Sequence, residues 1–164
     1  MEYSESELRS FIGPRADYYL ERFRRLHLRG PKAFPFNFAA FFFSVGWLLY
    51  RRLHRIFWIA SAIIVVESVV SEWVATTFLG LKTASATYNQ LVTLAYAVTV
   101  GTFANAWYYR HDARRLAHLK ANAATDEQIA RAGGVRWGPP LVFMALMLSL
   151  VIVALYARSS VVVP

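Results

Sequence analysis

The sequence predicts an all-α membrane protein: three transmembrane helices, an N-terminal amphipathic helix, and an aromatic segment that is interfacial or re-entrant. Three observations predict it. Of the 164 residues 57% are apolar and 17% charged, where soluble domains hold about 45–50% and about 25%. Three apolar runs, Ile56–Leu79, Leu91–Tyr109 and Leu141–Ala157, have the length needed to cross a bilayer, about 17–25 residues. Finally, 18 Lys and Arg against 10 Asp and Glu leave a net charge of +8. Beside long apolar runs, that excess points to anionic lipid headgroups and not to nucleic acid. The chain has no cysteine, which excludes disulfides, thiolate metal sites and cysteine nucleophiles.

Residues 1–33 read as a cytoplasmic amphipathic helical segment. Ser4 and Glu7 have the spacing of a capping box. Gly13-Pro14 interrupts the first helix, and Pro14 is suited to open a second. On a helical wheel Ala16, Tyr19, Leu20, Phe23 and His27 share one arc. Arg15, Arg22, Arg25 and Arg29 gather beside it, with Asp17 and Glu21 further round. Such a stripe suits a helix resting on the cytoplasmic leaflet; it equally suits one packed on the protein's own cytoplasmic loop. Gly30-Pro31 ends the element.

Residues 34–52 form the aromatic segment, FPFNFAAFFFSVGWLLY followed by Arg51 and Arg52, two further headgroup candidates. The distribution of basic residues decides its placement. If it does not cross, sixteen Lys and Arg fall on one side and two, Lys82 and Arg158, on the other. If it crosses, the division is nine against nine. The first arrangement is expected, with the N-terminus cytoplasmic and the C-terminus outside. No apolar core with a small-residue cleavage site opens the sequence, so a cleaved signal peptide is not expected. Residues 53–164 hold the three spans, with a basic cytoplasmic loop at 110–137. There DARRLAHLKANAA continues the second span as a helix. TDEQIARA follows, capped by Thr125 or Asp126 and stopped by Gly133-Gly134.

Two stretches carry a family likeness. FIGPRADYYLERF (Phe11–Phe23) and FNFAAFFFSVGWLLYRRLHRIFW (Phe36–Trp58) combine a Gly-Pro-x-x-x-Tyr-Tyr helix, a Phe-Asn-aromatic-x-Ala-Phe-Phe-Phe block and a Trp-Leu-x-Tyr-Arg end. ANAWYYRH (Ala104–His111) adds an Asn-x-x-Tyr stretch before a basic helix, and Gly133-Gly134 a late glycine pair. The chain thereby resembles the bacterial domain-of-unknown-function family numbered 2628. It departs from that pattern at Ser44-Val45-Gly46, where the family has Gly-Pro, and at Val135-Arg136, where it has Thr-Ser. The resemblance implies a small inner-membrane protein and brings no catalytic residues.

Glu67 and Glu72 stand inside the first span, and an intramembrane carboxylate is a functional candidate by default. Ser61, Glu67, Ser68, Ser71, Glu72 and Ala75 share one arc of the helix; Ile59, Ile63, Val66, Val70, Trp73 and Val74 share the opposite one. The polar arc reads as a helix-packing seam or as a proton or ion path, for which the second span offers Thr99, Thr102 and Asn105. His27, His54, His111 and His118 all fall among the cytoplasmic segments without the i,i+4 spacing of a helical metal pair. The aromatic residues near span ends read as interface anchors. No cofactor or metal is expected. The expectation is a non-enzymatic accessory or assembly subunit packed with other membrane subunits in a larger, energy-transducing complex. The alternative is a small transporter, channel or proton-conducting protein, as a homo-oligomer, built on Glu67 and Glu72.

Overall fold

A computed structural model describes residues 5–29 and 36–161, with residues 29 and 158–161 as backbone only. The Ser4 cap, the Gly30-Pro31 stop and the start of the aromatic segment lie outside the described residues. Within them the chain is helical: α1 Glu5–Ile12, α2 Ala16–Arg29, α3 Phe38–Tyr50, α4 His54–Thr77, α5 Ala86–Ala121, α6 Asp126–Ala132 and α7 Gly138–Val161. α1, α2 and α3 pack on α5 to form a base, with α6 resting on α1 and the roots of α4 and α7 on α3. From it project α4, the first half of α5, and α7.

α1 ends at Gly13, which takes the left-handed φ of 69°. Arg15 is also left-handed, at 67°, so α2 opens at Ala16 and not at Pro14. Of the stripe on α2, Ala16, Tyr19 and Phe23 turn inward and are buried, Leu20 is half-buried and His27 is exposed; Leu26 beside it is buried as well. The rings of Tyr19 and Phe23 sit 5.0 and 5.6 Å from that of Tyr108 on α5. Packing on the protein's own helix is thus one of the two arrangements that the stripe allows. α5 continues unbroken for 36 residues and supplies the surface that covers the stripe.

The aromatic segment becomes α3, and Asn37 positions it three ways. Its Oδ1 accepts from the Ala40 N–H at 3.0 Å as an N-cap, its Nδ2 donates to Asn105 Oδ1 at 2.9 Å, and its backbone N–H donates to the Gly101 carbonyl at 2.8 Å. Gly101 is needed there, because a Cβ would stand 2.8 Å from the Phe36 ring and 2.9 Å from Phe41. At Ser44 (φ 43°, ψ −122°) the helix breaks into two halves.

α6 carries the expected cap. Thr125 and Gln128 exchange bonds across a complete capping box, and Gly133 closes the helix. The glycine pair docks on α1: the Gly134 N–H donates to the Phe11 carbonyl at 2.7 Å. A Cβ on Gly133 would lie 1.9 Å from that same oxygen.

The projecting helices differ in kind. α4 and α7 are long and apolar enough to cross a membrane, and each buries only 6% of its most apolar window. Along α4 the covered positions are Ile56, Phe57, Ala60, Ser61, Ile64, Glu67, Ser71 and Ala75, a stripe at three-to-four spacing that packs on the base and α7 at its root and reaches α5 at Glu67 and Glu72. α7 is held at its root by Trp137 against Tyr50 (4.7 Å between rings) and Phe143 against Phe57 (5.4 Å). From Met144 to Ala157 every side chain is exposed. The middle span read from the sequence lies within α5. Interrupted by Thr93, Thr99, Thr102 and Asn105, it lacks the apolar character of the other two.

Candidate functional site

α4 and α5 diverge from the base and are bridged again by two carboxylates. Glu67 lies 13 residues past His54, about 20 Å along the helix. The Tyr88 hydroxyl donates to its Oε1 at 2.8 Å. Glu72 Oε2 accepts from the Thr83 hydroxyl at 3.1 Å and from the Ala84 N–H at 3.0 Å. It thus ties the incoming turn of α5 back to α4. The hydroxyls between them serve their own helix: Ser68 bonds the Ile64 carbonyl at 2.9 Å and Ser71 the Ser68 carbonyl at 3.1 Å. Both carboxylates therefore act across the cleft, and Ser68 and Ser71 line it.

Glu67 separates two cavities. One of about 320 Å³ is walled by Val70, Val74, Leu79, Leu81 and Tyr88. The other, of about 230 Å³, is walled by Ser68, Glu72, Asn89, Thr93 and Tyr96. Glu67 and Ser71 line both. No Lys, Arg or His occurs in Ile56–Leu79 or Leu91–Tyr109. Among the described residues the ion pairs all lie elsewhere.

Asn105, expected to share a path with these carboxylates, does not face them. It is fully buried in the base against Asn37. Thr99 and Thr102 bond carbonyls of their own helix. The residues of α5 that do face the cleft are Tyr88, Asn89, Val92, Thr93 and Tyr96. Asn89, Thr93 and Tyr96 follow the i, i+4, i+7 spacing of one helix face, a signal the sequence reading passed over.

Arg51 and Arg52, expected at headgroups, are turned inward where the chain passes from α3 to α4. Arg51 is 3% exposed; its guanidinium lies 4.2, 5.0 and 5.4 Å from the ring centres of Tyr19, Tyr108 and Tyr50. Its Nη1 donates to the Tyr108 hydroxyl at 3.2 Å. Arg52 takes a left-handed φ of 62° and donates to the Ala132 and Gly133 carbonyls at 2.7 and 2.6 Å. A cation there complements the C-terminal end of α6. Burial lowers the Arg52 guanidinium, and nearby Arg115 and Arg136 lower it further. Asp112, 2% exposed, completes the cluster. Burial raises its carboxyl well above the usual range, against the opposing pull of the Tyr108 hydroxyl, Arg51 and Arg115.

The other basic residues of α2 are less committed. Arg22 lies over the Tyr18 ring at 3.4 Å, Arg25 pairs with Glu21 at 2.9 Å, and Arg15 is exposed. The side chain of Arg29 lies outside those described. His111, half-buried, is lowered by burial and then by Arg115, His54 and Arg52.

These features define a class: an all-helical protein with two helices able to cross a membrane, joined to a base of aromatic rings and buried charge. The chain belongs to the family described as protein of unknown function (DUF2628), whose model matches residues 15–114. That span includes both the Glu67–Glu72 cleft and the Arg51–Tyr108–Asp112 cluster. Neither a curated protein nor a solved structure matches the chain.

Proposed function

We propose that the protein is a non-enzymatic accessory or assembly subunit of a larger membrane complex in the bacterial inner membrane. Three helices cross, the N-terminus and base are cytoplasmic, and the C-terminus is on the far side. The exposed apolar length of α4 and α7 carries this reading. Those helices find little cover in their own chain, and in a bilayer their faces are free to pack against neighbouring helices. The gathering of basic residues at the base supports the orientation. The break of α3 at Ser44, with both its ends resting on α5, supports a segment that dips in and returns. An energy-transducing complex is one candidate partner.

The test is purification of the tagged chain in mild detergent, followed by mass spectrometry and reciprocal capture. A large membrane partner at fixed stoichiometry is expected; a homo-oligomer alone, conducting ions in liposomes, overturns the reading. The position of Glu67 between two cavities favours a second reading, transport or proton conduction through the α4–α5 cleft. There Glu67→Gln should abolish flux in liposomes while the protein assembles normally.

A further inference from the structure

The cleft between α4 and α5 has the composition of a ligand site. The larger of its two cavities, about 320 Å³, lies within the range of roughly 300–1,000 Å³ usual for small-molecule pockets. One lobe is apolar, built on Val70, Val74, Leu79 and Leu81. The wall between the lobes is a carboxylate held by a phenol, with the second phenol of Tyr96 beyond it. Such sites combine an apolar body with a few convergent polar groups, and those groups set what binds.

Here they call for positive charge. Neither helix supplies a cation within its apolar run, and among the described residues neither Glu67 nor Glu72 is ion-paired. Glu72 is committed to the Ala84 N–H and the Thr83 hydroxyl, whereas among the described residues Glu67 accepts from the Tyr88 hydroxyl alone, on one of its two oxygens. A half-buried carboxylate beside an apolar lobe gains most from a cation that brings little water with it. Aromatic faces attract the same kind of group. We propose that this cleft binds a lipophilic organic cation, a quaternary or protonated ammonium or its phosphonium equivalent on an apolar body. The charge sits at Glu67 beside Tyr88 and Tyr96, and the body fills the Val70–Leu81 lobe. The proposal rests on α4 and α5 lying in the bilayer and on the cleft of the second reading. It requires neither flux nor a partner subunit.

The test is equilibrium binding of radiolabelled tetraphenylphosphonium to the full chain purified in dodecyl maltoside. Saturable binding is expected, displaced by dodecyltrimethylammonium and not by neutral triphenylphosphine oxide. Glu67→Gln should weaken it roughly tenfold or more, while Leu148→Ala on α7, away from the cleft, stays within about threefold of wild type. Ser71→Leu, which fills the wall common to both lobes and leaves the carboxylate in place, should also weaken it roughly tenfold. That variant decides the matter if Glu67→Gln does not elute as the wild type does. Absent saturable binding, undiminished binding by Glu67→Gln and Ser71→Leu, or equal displacement by the neutral compound overturns the proposal. Binding without flux in liposomes supports it and removes only the transport reading. Proton flux without binding overturns it and leaves that reading standing.

Discussion

The base and the arms of this protein spend their apolar residues in opposite ways. In the base Phe23, Leu48, Leu116 and Ala104 are wholly buried, and rings from α2, α3 and α5 close around Arg51. In the arms Ile63, Val66, Leu148 and Ile152 are each more than half exposed. Water drives the first arrangement by expelling apolar surface and would penalise the second. Hydrocarbon removes that penalty and leaves helix association to close packing and polar seams. The two regions suit two different solvents, and the change falls near Val100 and Gly101 on α5, where buried residues first become frequent along the helix.

The comparison breaks most sharply at Phe23. If the base owes its stability to water-driven packing, Phe23→Ala should cost about 3–5 kcal/mol, read as a shifted denaturant midpoint in detergent. A loss under 1 kcal/mol would mean the base is held by its detergent shell instead. Gly133→Ala comes next, at about 2–3 kcal/mol, because its Cβ would collide with the Phe11 carbonyl 1.9 Å away. Gly46→Ala is the control: no atom lies within 4 Å of its added Cβ. In a helix, that change should stabilise by about 0.5–1 kcal/mol.

A smaller effect separates Asp112 and His111, neighbours on α5. Asp112 has a raised carboxyl, so the folded chain binds a proton that the unfolded chain releases above about 3.8. Lowering the pH through that window favours folding. His111 is depressed from 6.5, so the unfolded chain takes up its proton first and acidification below 6.5 disfavours folding. The two oppose each other. Asp112→Asn should therefore lose more thermal stability than wild type between about pH 6.5 and pH 4, and His111→Gln less. Parallel melting curves for all three proteins would remove these groups from the balance.

The sequence shows some of this plainly and some not at all. Helical periodicity and turn residues locate α2, the cap at Thr125 and the stop at Gly133, because those signals are local. The apolar runs locate α4 and α7 for the same reason. What α2 packs against is not local: the same stripe would suit a leaflet or a helix, and only the unbroken course of α5 beyond Tyr109 decides. Arg51 and Arg52 were read as surface groups because a basic pair after an apolar run usually is. Their burial depends on Tyr19, Tyr108 and the α6 carbonyls, brought together from three other helices. For the cleft, Glu67 stood out as a charge in an apolar run. Its partner Tyr88 did not, since pairing across a helical hairpin depends on how the turn at 78–85 folds back onto Glu72.

The smallest effect is the most informative about the arms. Leu148 and Ile152 on α7 are 62% and 57% exposed and touch nothing in the base. Replacing both by Ala removes apolar surface that the isolated chain does not bury, so its own unfolding midpoint should move by no more than about 0.5 kcal/mol. The helix itself tolerates the change, since Ala has the highest helix propensity. In the membrane the same pair would lie one turn apart on one face of α7, where a partner helix would meet it. Recovery of a stoichiometric partner in mild detergent should then fall while the chain's yield and midpoint hold. A midpoint loss of 2 kcal/mol or more would show that α7 packs on its own chain, and the division into base and arms would have to be redrawn.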